Sequence, residues 1–364
     1  MTDRTPSRRT PHPETQALLL AAAGWGGAPG PEASRLPRGD RAAELLQVAR
    51  EEGLGGLLRD HLRRRGHDLR LPDEKRRLLE GLYHRALAEN VRRLALLEEI
   101  ASAFAAAGVS AVLIQGMALL FGTYPDPGCR PVTDIDLWAP QRKGTEEALR
   151  TIGFSVENPR PLVLRRGGER IDLHEDLLGV ERIGNRRHFL PRGEKPIFAA
   201  CRPLSPGHPG LLRLSPPDEM LYLAFHAAKH NLARLMWLAD LARLSAAWEA
   251  AHWQQLKERA VALGASRLAP LAAALAGHPA AAAIAGERGG LSVAARFLIR
   301  RRLAGRRLPA WAFLILLRPA GVAGRASFVA ESLFPKTAVL AASEGKGPLR
   351  LHLGRAARAL PFVR

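Results

Sequence analysis

The chain has 364 residues, 47% of them hydrophobic and 24% charged, and carries a formal net charge of +19. This composition excludes a mainly disordered chain and a disulfide-stapled mini-protein, and the length predicts two or three folded units. Of the 54 basic residues 47 are Arg, and residues 291–364 alone hold +12 of the net charge. The excess reads either as a solvated Arg-rich surface or as attraction for polyanions such as nucleotides, nucleic acid or anionic lipid.

In chain order, residues 1–15 and 26–39 are rich in Pro, Gly and Arg, so 1–39 is expected to be flexible tail and loop. The apolar patch Ala17 to Trp25 is short and has no clear cleavage site, which argues against a signal peptide. Residues 40–108 read as a helical segment. Asp40 is expected to cap its first helix, and Gly53, Gly55 and Gly56 punctuate the chain before the run 57–65. Pro72 then opens one long helix, 73–107, with Leu78, Leu82, Leu94, Leu97, Ile100 and Phe104 as its apolar set and Gly108 as its stop.

The period changes after Gly108. Val109 to Ile114 is a buried-strand candidate, and a short helix or turn comes next. Asp134-Ile135-Asp136-Leu137-Trp138 alternates polar and apolar at the period of a strand. A helix from Glu146 to Ile152 and three short strands, at Phe154, Leu162 and Arg170, complete a mixed unit over 109–200 with four or five strands. The remainder, 201–364, reads as a C-terminal helical domain with a basic end, its first helix capped by Asp218. The expected class is therefore α+β: a small mixed-sheet core flanked by N-terminal helices and a C-terminal helical domain. Cys129 and Cys201 form no Cys-x-x-Cys pair, which excludes a zinc ribbon and a thioredoxin-like site. The longest late apolar run, 310–317, is far below the ~20 residues of a membrane span. A cytoplasmic location is expected.

Asp134 and Asp136 carry the strongest chemical signal. Residues two apart on a strand share a face, so two carboxylates project side by side. Such a pair is unfavourable without a cation between them, and hard oxygen ligands suit Mg²⁺. Asp172, on a later strand, supplies a third carboxylate of the kind a two-metal site needs. Gly116 comes directly after a strand and permits close backbone approach to phosphate, and Arg130 in the loop before the acids is expected to neutralise a triphosphate.

His226 and His230 stand at i and i+4 on one helix face, with Lys229 between them. A zinc-protease reading fails because residue 227 is Ala where that mechanism needs Glu. The face either packs on the core or contacts nucleotide or acceptor. His174 shares the strand face of Asp172 and reads as a partner of the acids, an acceptor contact or plain structure. Trp237, Trp248 and Trp253 read as core, and Arg300 to Arg302 with Arg306 and Arg307 as a solvated basic face or, less readily, a contact for an anionic partner.

Three segments together carry a family resemblance: 114–137, running from Ile114-Gln115-Gly116 to Thr133-Asp134-Ile135-Asp136; Ile171-Asp172-Leu173-His174; and His226 to His230 with Trp237 to Asp240. They resemble the DNA polymerase β-type nucleotidyltransferase superfamily and, within it, the bacterial family of uncharacterised nucleotidyltransferases, over residues 40–360. The resemblance implies Mg²⁺, two ions, on Asp134, Asp136 and Asp172. It implies a nucleotide site around Gln115, Gly116, Arg130, Thr133, His226, Lys229 and His230. Relatives usually carry Lys where this chain has Gln115, which removes a charge.

The leading expectation is a nucleotidyltransferase that takes an NTP and moves a nucleoside monophosphate or phosphoryl unit to an acceptor, with a natural-product pathway as one setting. The acceptor stays open between a small molecule, a peptide, a protein side chain and an RNA end. The alternative is a catalytically weak nucleotide-binding or sensor protein in a biosynthetic complex. Nucleic-acid binding through the basic end ranks last.

Overall fold

A computed structural model describes residues 11–25, 39–67, 71–124, 126–159, 161–179, 186–286, 291–319 and 321–333. The Pro-rich stretches at 1–10 and 26–38 and the basic end beyond 333 lie outside the described residues.

Four helices open the chain: α1 (Pro13–Ala22), α2 (Asp40–Glu51), α3 (Gly55–Arg64) and α4 (Asp73–Ala107). The first corrects the expectation of tail and loop across 1–39. Pro13 starts α1, and its Leu18, Leu19 and Leu20 are buried against the rest of the core. Apolar burial there outweighs the disorder-prone composition on either side. Asp40 is the first residue of α2 rather than its cap; Gly39 holds that position. On α4 the inward stripe runs Leu79, Ala86, Asn90, Arg93, Leu97, Ile100 and Phe104, and Leu78 is 47% exposed. Two polar residues thus take places that hydrophobic periodicity assigns to leucines. Gly108, at φ +63°, ends the helix in the left-handed region.

The sheet comes next: β1 (Ala111–Ile114), α5 (Gln115–Leu119), β2 (Ile135–Trp138), α6 (Arg142–Thr151), β3 (Ser155–Pro159), β4 (Leu162–Arg166) and β5 (Glu169–His174). After α7 (Arg186–Phe189) and α8 (Lys195–Phe198) come β6 (Arg202–Pro203) and β7 (Leu211–Arg213). The order is β3-β4-β5-β2-β1-β7-β6, a seven-stranded mixed sheet. β2 runs parallel to β5 and antiparallel to β1, and β7 runs parallel to β1. The sheet therefore reaches beyond residue 200, where sequence reading ended the core. β6 and β7 are too short to show a period of their own.

The helical remainder comprises α9 (Pro216–Lys229), α10 (Leu235–Leu244), α11 (Ala250–Ala262), α12 (Leu268–Ala276), α13 (Ala282–Gly286), α14 (Val293–Leu303), α15 (Ala312–Leu316) and α16 (Val322–Leu333). Ser215, not Asp218, caps α9: its hydroxyl accepts from the Asp218 amide, and Asp218 pairs with Arg259 at 2.7 Å. Helix α9 is buried among α10, α11 and α12. Arg302, expected on a solvated face, is 4% exposed and pairs with Glu52. No helix among the described residues is long and apolar enough to cross a membrane.

Candidate active site

Strand register builds the acidic centre. Asp136 on β2 lies directly beside Asp172 on β5, and, two residues further along, Trp138 lies beside His174. On β5 burial alternates: Ile171 and Leu173 point into the core while Arg170, Asp172 and His174 share the partly open face. Asp134 immediately precedes β2, two residues from Asp136, and accepts a hydrogen bond from the Thr133 hydroxyl at 3.0 Å.

Each inner carboxylate holds a partner from β5. His174 Nε2 and Asp136 Oδ1 are 2.9 Å apart. Arg170 donates from Nε and Nη2 to the two oxygens of Asp172, at 2.8 and 3.0 Å. Burial pushes the Asp136 carboxyl above its ordinary value; His174 and Lys229 oppose the rise and Asp134 adds to it. Burial and the charge of Asp136 likewise raise Asp172, against the pull of Arg170. Burial works to lower the His174 imidazole, but the hydrogen bond and charge of Asp136, with Asp172 beyond, raise it overall.

Helix α9 lies over this centre. Tyr222, His226 and His230 recur every four residues along one face. The Tyr222 hydroxyl is hydrogen-bonded to the Gln115 side chain and feels the charge of Asp136. Lys229 Nζ donates to the Leu178 carbonyl at 2.9 Å. A β-carbon at Gly179 would lie 3.0 Å from Lys229 Nζ and 4.0 Å from His174 Nδ1, so that turn lies between the two side chains. Burial, then His230 and Lys229, press the His226 imidazole well below its usual value, and burial with Lys229 takes His230 to about 4. Both rings are neutral at pH 7.

The turn after β1 is strained. Gln115 sits at φ +58°, a left-handed backbone that costs a side-chain-bearing residue ~1–2 kcal/mol. Gly116 is next, and Arg130 passes so close beneath it that a β-carbon at 116 would overlap Nη1. This packing is itself a reason for glycine there. It also shows how Arg130 is held. Arg130 is 7% exposed, and its Nε and Nη2 both donate to Asp240 at 2.8 Å, so much of its charge is balanced inside the protein, while Nη1 lies against the Gly116 turn. Asp240 also accepts from the Tyr124 hydroxyl at 3.0 Å.

The loop before the acids is pinned from α4. Asn90 donates to the Pro127 and Arg130 carbonyls at 2.7 and 2.6 Å, and Arg93 donates to the Val132 carbonyl at 2.6 Å. Tyr83 reaches Asp126, which caps the turn through the Gly128 amide.

The fold thus gathers Gln115, Gly116, Asp134, Asp136, Asp172, His226, Lys229 and His230 around one centre, with Thr133 beside Asp134 and Arg130 under the Gly116 turn, tied to Asp240. Sequence reasoning missed Arg170, Tyr222 and the place of Trp237. The first two were reachable: Arg170 stands two residues from Asp172 on a strand, and Tyr222 four residues from His226 on a helix. Trp237 is only half-buried and packs on His226 and His230, with centroids 5.1 and 5.5 Å away.

Asp134 and Asp136 are the residues that could hold a hard cation. Asp136 is a buried acid beside a like charge, the situation a divalent ion relieves. Asp172 is different, because Arg170 takes up both of its oxygens. Among the described residues no group of three or more His, Cys, Asp or Glu side chains is gathered to hold a metal ion. Comparison with curated proteins and with solved structures gives no match. A family model does match, over residues 39–280, which takes in the sheet, the acids and the helix above them: the chain belongs to a family described as uncharacterised nucleotidyltransferase.

Proposed function

We propose that the chain is a Mg²⁺-dependent nucleotidyltransferase that moves a nucleoside monophosphate, or another phosphoryl unit, from an NTP to an acceptor hydroxyl or amine. The observation that carries this reading is the register of Asp136 beside Asp172 on parallel strands, with Asp134 two residues earlier. The bond that forms joins the acceptor atom to the transferred phosphorus. The bond that breaks frees pyrophosphate when the α-phosphorus is attacked.

Asp134 and Asp136 would hold the metal ions, with Asp172 as the third carboxylate where its oxygens exchange Arg170 for a cation. Mg²⁺ supplies Lewis-acid charge for the transferring phosphoryl group. His174 fixes the Asp136 carboxylate through its 2.9 Å hydrogen bond. Asp172, once released from Arg170, would take the acceptor's proton. The Gly116 turn and Lys229 face the phosphates.

The test is substitution of the acids. Asp136→Asn is expected to abolish transfer from radiolabelled NTP, scored by mass spectrometry of candidate acceptors, while circular dichroism stays unchanged. Transfer surviving in both Asp134→Asn and Asp136→Asn would refute the mechanism. A second reading, a nucleotide-binding protein of little activity, is favoured by two features: Gln115 brings a neutral amide, engaged with Tyr222, to the phosphate turn, and Arg170 occupies Asp172. NTP binding by calorimetry without transfer to any acceptor would select it.

A further inference from the structure

We propose that His226, His230 and Trp237 form a stacking platform for the nucleobase of the NTP, a proposal that rests on the nucleotidyltransferase reading above. The three rings make one cluster, with centroids 4.7 Å apart for His226 and His230, 5.1 Å for His226 and Trp237, and 5.5 Å for His230 and Trp237. Rings packed this closely in a core are normally sealed from water. Here His230 is exposed and both His226 and Trp237 are partly exposed, and the rings are inclined at 41–88° to one another, so the cluster offers solvent the faces and edges of separate rings.

Its position suits a base whose phosphates lie at the acids. His226 is close enough to His174 and Arg130 to feel their charge, and His174 touches Asp136. Lys229, one residue before His230, is turned to the Gly179 side where His174 stands. The α9 face thus grades from cation to neutral ring as it leaves the acidic centre. Phosphate belongs at the first, and a flat uncharged heterocycle at the second, since every base offers a π-face to an aromatic surface.

The platform is also held rigid. The chain leaves α9 through two consecutive left-handed residues, Asn231 at φ +56° and Leu232 at φ +51°, neither of them glycine. The strain is held from outside: the Asn231 side chain donates to the Ala310 carbonyl and accepts from the Phe313 amide, and Arg302 donates to the Leu232 carbonyl at 2.7 Å. Over-determined strain of this kind fixes the reversal that folds Trp237 back onto the two histidines.

The experiment is calorimetry of the full chain with Mg²⁺, using ATP and inorganic tripolyphosphate as separate probes. Trp237→Ala and His230→Ala are expected to weaken ATP by about tenfold each and leave tripolyphosphate unchanged, and Trp237→Phe to retain most of the ATP affinity. His230 is exposed, so its variant reads the contact without disturbing the fold. ATP affinity equal to wild type in both alanine variants overturns the platform while the nucleotidyltransferase reading stands. Parallel loss of both probes also overturns it, since a deformed cleft and not a missing base contact would be responsible. A wild-type chain that binds neither probe overturns both readings together.

Discussion

Glu219 shows what burial does to a single acid in this fold. It is 2% exposed near the start of α9, with Arg213 Nη2 3.4 Å from Oε2. Burial drives its carboxyl from 4.5 to about 7, against the pull of Arg213 and with a push from Asp240. The folded protein therefore binds this proton more tightly than the unfolded chain. Its contribution to stability is complete below pH 4.5 and is lost as the pH rises through about 7. Thermal melts of Glu219→Gln against wild type are expected to separate by about 2 kcal/mol between pH 5 and 8, with the variant gaining at the alkaline end. Identical pH slopes in the two proteins would contradict this account. The placing of Asp134 and Asp136 two apart at one strand, and of Asp172 on another, was legible in the sequence because strand alternation is local. The partner of Arg130 was not legible, because Asp240 lies 110 residues away in sequence.

At the scale of elements, that same pair fastens α10 to the loop that enters β2. Asp240 is 1% exposed and takes three hydrogen bonds, two from Arg130 and one from Tyr124. Removing it leaves a buried guanidinium without its counter-charge, which costs about 3–5 kcal/mol. Tyr124→Phe removes one neutral donor and is expected to cost about 1 kcal/mol. Chemical denaturation of Asp240→Ala and Tyr124→Phe should show this ordering. Equal small losses would mean that the pair is solvated. Elements with a strong local period were readable, including α4, β1, β2, β4 and β5. The inward face of α4 was misplaced because Asn90 and Arg93 are buried there to hold the loop carbonyls, a demand from another element that hydrophobic periodicity does not carry.

Across the whole molecule, the net charge says less about function than its size suggests. Arg302, in the basic C-terminal segment, is spent on Glu52 inside the protein. The helical N-terminus is tied in as well, through Trp25 Nε1, which donates to the Leu275 carbonyl of α12 at 2.8 Å. The pairing of greatest consequence is that of β7, after residue 200, which lies parallel to β1 with Ala111, Val112 and Leu113 beside Leu211, Leu212 and Arg213. A fragment of 109–200 lacks β7 and leaves the backbone of β1 bare along one side. Its four residues, Ala111 to Ile114, are wholly apolar, with no charge or proline to deter pairing. Such a fragment is expected to self-associate on size-exclusion chromatography, and one extended to 215 to do so less. The short strand at 211–213 therefore serves as a stopper: it keeps a wholly apolar strand from recruiting a neighbour.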